Sequence, residues 1–180
     1  MRFRKKITGT LAVILAFGFF AGGAANADDD ARERSKTRKS PSFLKTPESA
    51  LYKEECSSCH FLYQPWLLPS RSWQVIMDGS QKHFGENLAL DAETAKELLA
   101  YLKANSSEKT RARWAEKITA SSEGLTPKRI MDVPWIKKEH REVGANVFKR
   151  PSIGSASNCA ACHTKGAEGN FEEDFVKVPR

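Results

Sequence analysis

Two copies of one pentapeptide constrain this chain more than any other feature: Cys56-Ser57-Ser58-Cys59-His60 and Cys159-Ala160-Ala161-Cys162-His163. Together they use all four cysteines and two of the four histidines. Cys-x-x-Cys-His is the attachment pattern of a c-type haem. Two cysteines three apart on a helical turn lie on one side, where their sulfurs reach the two vinyl groups of one porphyrin edge. The histidine that comes next is then held beneath the iron as the fifth ligand. Cys56, Cys59 and His60 are therefore assigned to one covalently bound haem c, and Cys159, Cys162 and His163 to a second. Haem iron brings redox chemistry that no side chain supplies.

Three other uses of such cysteines fit less well. A zinc ribbon also has two Cys-x-x-Cys pairs, but they usually lie about 15–20 residues apart, whereas 99 residues separate Cys59 from Cys159. A thioredoxin-like pair needs a βαβ setting, and neither copy has flanking strand patterns. Disulfides suit an exported chain but give no reason for a histidine after each pair.

The N-terminus points to export. Arg2, Arg4, Lys5 and Lys6 precede an apolar run from Ile7 to Ala21, and Ala25-Asn26-Ala27 then precedes Asp28-Asp29-Asp30. A basic start, a short apolar core and a small-x-small site make a secretory signal peptide over residues 1–27. An uncleaved anchor is the competing reading, which Gly22, Gly23 and Asn26 oppose. Covalent haem attachment takes place outside the bacterial cytoplasm, so a periplasmic location is expected. Membrane contact is then expected only through an electron donor or an uncleaved signal.

Charge is uneven along the chain. The full sequence carries a formal net +7, which falls to +3 without the four basic residues of the signal. Four haem propionates would bring the holoprotein close to neutrality. Residues 28–95 sum to −2, residues 96–150 to +6 and residues 151–180 to −1. Nucleic acid is not an expected partner in the periplasm. The basic band suits an acidic redox partner, or is simply a solvated face.

Periodicity predicts a mainly α protein. Residues 28–42 are charged and poor in apolar side chains, and are read as a disordered leader. Pro47 is expected to open a helix running through Ser58. Ser70 or Ser72 caps a short helix with Trp73, Ile76 and Met77, ended by Gly79. Asp91 caps the clearest helix, with Ala95, Leu98, Leu99 and Leu102 on one face. Residues 108–120 are expected to form another, and Pro134 to open a short one reaching through His140 towards Gly144. Residues 83–87 read as a loop, and the second haem motif is expected on a short helix. No stretch shows sustained strand alternation. The expected organisation is a first haem lobe with its succeeding helices over 43–124 and a second haem lobe over 125–180.

The two spare histidines then matter most. An iron with two protein ligands passes electrons, and one with an open face binds or reduces small molecules. Candidates for a sixth ligand are His83, His140, Met77 and Met131. Core packing competes for both methionines. His83 lies in a loop beside Gly85, free to reach a haem face. His140 lies one turn after Ile136 and shares its face. No histidine falls outside the scheme, so His83 is assigned to the first iron and His140 to the second. A crossed pairing stays open on the residues alone.

The strings Glu55-Cys-Ser-Ser-Cys-His60, Leu67-Leu-Pro-Ser-Arg-Ser-Trp73 and His83-Phe-Gly-Glu-Asn87 resemble the small dihaem cytochrome c family. So do Val133-Pro-Trp135, Glu139-His-Arg141 and Asn158-Cys-Ala-Ala-Cys-His163. The resemblance covers roughly residues 45–180. It implies two haems, each between two histidines: His60 with His83, and His163 with His140. It implies a helical two-lobed fold with a cytochrome c-like N-terminal lobe and a less regular C-terminal one. It also implies electron transfer rather than catalysis, from a donor cytochrome to an acceptor haem protein, in some members an oxygen-binding monohaem cytochrome c. The alternative is a dihaem enzyme, a peroxidase or small-molecule reductase, with one iron that opens a coordination site.

Overall fold

Residues 42–180 are described by the computed structural model. The expected signal peptide, and the expected leader apart from Ser42, lie outside the described residues. Six α-helices and six short 3-10 turns lie along the described residues. No strand forms among them, and only two isolated antiparallel bridges occur, His83 with Glu86 and His163 with Val176.

Helix α1 (Ala50–Cys56) starts three residues later than Pro47 suggests. Ser49 takes the cap position, its Oγ accepting the Tyr52 N–H at 3.1 Å, so a side-chain cap sets the start rather than the proline. Helix α2 (Ser70–Asp78) begins directly after Pro69, and the Gly79 N–H closes it on the Val75 carbonyl. Helix α3 (Ala92–Ala104) is capped by Asp91, which accepts from the Glu93 and Thr94 N–H groups at 2.9 Å each. Its predicted face turns inward, with Leu98 and Leu102 buried and Ala95 and Leu99 half-buried.

Helix α4 (Arg113–Ser121) is shorter than the predicted 108–120. Ser106 and Thr110 explain the difference. Their hydroxyls bond the Lys103 and Asn105 carbonyls, and such local bonds favour turns over helix. Helix α5 (Pro134–Glu139) opens on its proline and ends at His140, and α6 (Ala145–Phe148) is a separate single turn. The second haem motif sits on a 3-10 turn (Cys159–Ala161), not an α-helix.

One apolar core joins these pieces. Trp66, Leu68, Leu98, Leu102, Ile118 and Val133 are fully buried. Helix α2 packs on α3, and α4 on α5. The indoles in the core keep their N–H groups satisfied: Trp66 donates to the Leu44 carbonyl at 2.8 Å and Trp73 to Pro65 at 2.7 Å, as buried tryptophans require. Gln64 acts as a clasp. Its amide accepts from the buried Thr46 N–H and donates to the Ala167 carbonyl, both at 3.0 Å. The loop after the first haem motif is thereby tied to the turn after the second.

Candidate haem sites

The first pentapeptide straddles a helix end. Cys56 is the last residue of α1, and the chain then turns through Ser57 and Ser58 to Cys59 and His60. The Ser57 N–H still bonds the Lys53 carbonyl, so the turn remains nearly helical up to that point. The second pentapeptide is wound tightly by bonds from the Cys162 and His163 N–H groups to the Cys159 carbonyl. The C-terminal tail brackets it, with Thr164 N–H on the Phe175 carbonyl and Lys177 N–H on the Cys162 carbonyl. None of the four cysteines forms a disulfide. Burial, aided by Glu55, pushes the Cys56 thiol up to about 11, and burial does the same to Cys159. Both are therefore neutral thiols rather than thiolates in the polypeptide.

Each motif histidine faces one spare histidine. The His60 and His83 rings have centroids 6.2 Å apart with an interplanar angle of 31°. The His140 and His163 rings are 5.9 Å apart at 67°. Two imidazole nitrogens on opposite sides of one metal, each about 2 Å from it, set ring centroids about 6 Å apart. Both pairs therefore have the spacing that admits one iron between them. No group of three or more His, Cys, Asp or Glu side chains among the described residues clusters as a metal cage would need, so a four-ligand zinc ribbon finds no counterpart here.

Local structure orients the rings. His83 ends a 3-10 turn (Ser80–Lys82) and enters a tight hairpin. It exchanges two backbone bonds with Glu86, at 2.7 and 3.0 Å. Phe84 and Gly85 between them have φ of +52° and +110°. Positive φ at both central residues is the backbone of the tightest hairpin turns. Gly85 adopts it freely, while Phe84 is strained there. His140 closes α5, and its Nδ1 lies 2.8 Å from the Ile136 carbonyl. His60 Nδ1 lies 2.7 Å from the Phe61 carbonyl. A carbonyl only accepts, so each of these Nδ1 atoms carries a proton, and in the neutral ring Nε2 keeps a lone pair for a metal.

The other two rings are desolvated. Burial, with His60 beside it, lowers the His83 pKa below its usual value. Burial, with His140 beside it, brings His163 down to about 4. Both shifts favour the neutral form that binds metal. Their Nδ1 atoms are buried without a hydrogen-bond partner among the described residues.

Each pair opens on its own cavity. The first, about 310 Å³, is lined by Cys56, Cys59, His60 and His83 with Tyr52, Trp73 and Met77. The second, about 740 Å³, is lined by Cys159, Cys162, His140 and His163 with Trp114 and Phe171. Both volumes fall within the roughly 300–1,000 Å³ of cofactor pockets. Each cavity thus combines the two thiols of its own motif, a pair of facing imidazoles and a mostly apolar wall, which fits a covalently attached haem. Ile130, Met131, Ala156 and Cys159 line both cavities. Met77 and Met131 therefore reach the cavities as wall residues.

Some contacts to the rings carry no mark in the sequence. Tyr63 stacks on His60 at 5.0 Å and donates its hydroxyl to the Ser157 carbonyl at 2.7 Å. Phe171 meets His163 edge-on at 5.1 Å. Both aromatics come from unpatterned loops, which give no periodic signal by which to single them out.

Comparison with known proteins gives a consistent answer. The dihaem cytochrome c family model matches residues 52–171. A solved dihaem cytochrome c from Rhodobacter sphaeroides is 37% identical, with a TM-score of 0.61 over 72% of this chain and 99% of that one. A dihaem c-type cytochrome from Shewanella baltica OS155 is 29% identical, with a TM-score of 0.59 over 74% and 94%. A search of curated protein sequences finds no match.

Proposed function

Because this chain belongs to the dihaem cytochrome c family, and so carries two covalently bound haem c groups, we propose that it is an exported, periplasmic electron carrier with both irons closed by histidine pairs. The iron supplies one-electron redox chemistry when the haems are bound. The polypeptide's contribution is attachment and ligation. Cys56 and Cys59 hold one haem and Cys159 and Cys162 the other. His60 with His83, and His163 with His140, would hold the two irons. The observation that carries this reading is the pair of ring separations, 6.2 and 5.9 Å. Histidine on both faces favours a lower potential than methionine would. It also leaves no position for a small molecule, which argues against a peroxidase or reductase. The basic band over residues 96–150 supports an acidic haem protein as acceptor.

Electron paramagnetic resonance of the oxidised protein tests the ligation. Two low-spin signals are expected. The steeply crossed His140–His163 pair should give the more anisotropic one, because crossed ligand planes bring the iron π-orbitals closer in energy. His83→Ala should convert one signal to high spin and His140→Ala the other. Two intact low-spin signals in both variants would overturn the ligand assignment. Rapid stoichiometric carbon monoxide binding to the reduced wild type would overturn the closed-site reading.

A further inference from the structure

Both cavities contain a pair of cations that the axial ligation leaves unexplained. Among the described residues, Lys128 and Arg129 are the only lysine or arginine lining the first, and Arg113 and Lys117 the only ones lining the second. Arg113 and Lys117 lie four apart on α4, on one face. None of the four is within ion-pair distance of a carboxylate among the described residues, where the three ion pairs lie elsewhere. None donates a side-chain hydrogen bond to a described residue either.

One member of each pair is instead set over an aromatic ring of its own cavity. The Arg129 guanidinium lies 4.3 Å from the Phe84 ring centre, and the Lys117 ammonium 5.3 Å from that of Trp135. A guanidinium held over a ring by its cation–π contact still has N–H groups to offer a carboxylate. Phe84 is otherwise hard to account for. It is 52% exposed and sits at a strained φ of +52° directly after His83. Supporting Arg129 gives that conformation a use. Each cavity also has acidic walls, Glu55 and Glu86 in the first, and Glu139, Glu172, Glu173 and Asp174 in the second. Glu172 accepts the Ser42 hydroxyl at 2.5 Å.

A haem brings two propionate carboxylates, and a carboxylate taken from water into a mostly apolar pocket needs a cation or hydrogen-bond donors. We propose that Lys128 with Arg129, and Arg113 with Lys117, are the propionate-binding pairs of the first and second haem respectively. This rests on the dihaem, bis-histidine reading above. Each pair would also set its own haem's potential, because a nearby positive charge favours the reduced iron.

Spectroelectrochemical titration of holoprotein variants tests it. Lys128→Gln/Arg129→Gln should make one haem harder to reduce, by about tenfold in its reduction equilibrium, or 59 mV for one electron, and leave the other within twofold. Arg113→Gln/Lys117→Gln should do the same to the other haem. Lys137→Gln/Lys138→Gln, which removes two charges from the same basic band but from neither cavity wall, should move neither. Arg129→Gln alone should make the same haem harder to reduce by a smaller factor, and it gives the readout should the double variant mature poorly. Unmoved potentials, or a shift no larger than in the Lys137/Lys138 control, would overturn the proposal. Retained low-spin signals at both irons in the same samples would show that the ligation reading stands regardless.

Discussion

Replacing Gln64 by methionine removes the clasp between the two haem segments while nearly keeping side-chain length and volume. The wild-type amide makes two bonds of 3.0 Å, to the Thr46 N–H and the Ala167 carbonyl. Each such bond contributes about 1 kcal/mol net, and a buried donor left without a partner costs about 1–3 kcal/mol. Thr46 is buried whereas Ala167 is exposed, so water can replace the second bond and not the first. The expected loss is about 2–4 kcal/mol. A guanidinium titration of the holoprotein, monitored by far-UV circular dichroism, reads it directly. With a slope of about 4 kcal/mol/M, the midpoint should fall by roughly 0.5–1 M at unchanged slope. A midpoint indistinguishable from wild type would refute the reasoning and show that the loop after His60 is held by packing alone. A changed slope would also count against it, since the variant would then have altered the denatured state rather than one native contact.

Other perturbations probe the neighbouring contacts. Tyr63→Phe keeps the ring against His60 but loses the hydroxyl bond to Ser157. It should lose about 0.5–1.5 kcal/mol in the same titration and leave both low-spin signals intact. Gly166→Ala places a Cβ 3.2 Å from Phe171, 3.3 Å from Phe61 and 3.4 Å from the His163 Cβ. Overpacking there should destabilise by about 1–3 kcal/mol and shift the resonance signal of the His140–His163 site alone. Bonds from the Thr94 N–H, and then from its hydroxyl, hold the Asp91 carboxyl below its usual value. Its stabilisation is therefore present above the ordinary carboxylate pKa and lost as pH falls through the depressed one. Asp91→Asn should flatten the acid side of the thermal-midpoint profile, and an unchanged profile would deny Asp91 that role.

The helix limits show where sequence patterns stop being informative. The Asp91 cap and the face of Leu98 and Leu102 were legible because both are local, set by side chains within a turn or two of each other. The start of α1 and the shortening of α4 were not, because serine and threonine hydroxyls competed for backbone groups that proline position and periodicity had assigned to helix. The ring contacts of Tyr63 and Phe171 were invisible for a further reason, since their partners come from loops without a repeat.

The sequence by itself determined the chemistry: two Cys-x-x-Cys-His motifs specify two attached haems because attachment needs only residues within one turn. It also left His83 and His140 as the only spare histidines, beside Met77 and Met131, among the candidates for the remaining ligands. Only the tertiary structure decided which spare histidine faces which motif. That depends on a hairpin at residues 83–86 and on the end of α5, each carried into place by packing between distant segments. The common wall of Ile130, Met131, Ala156 and Cys159, and the cations beside each cavity, arise the same way. Such neighbours are chosen by burial of a shared core, which acts between segments far apart in the chain and leaves no periodic mark on any one of them.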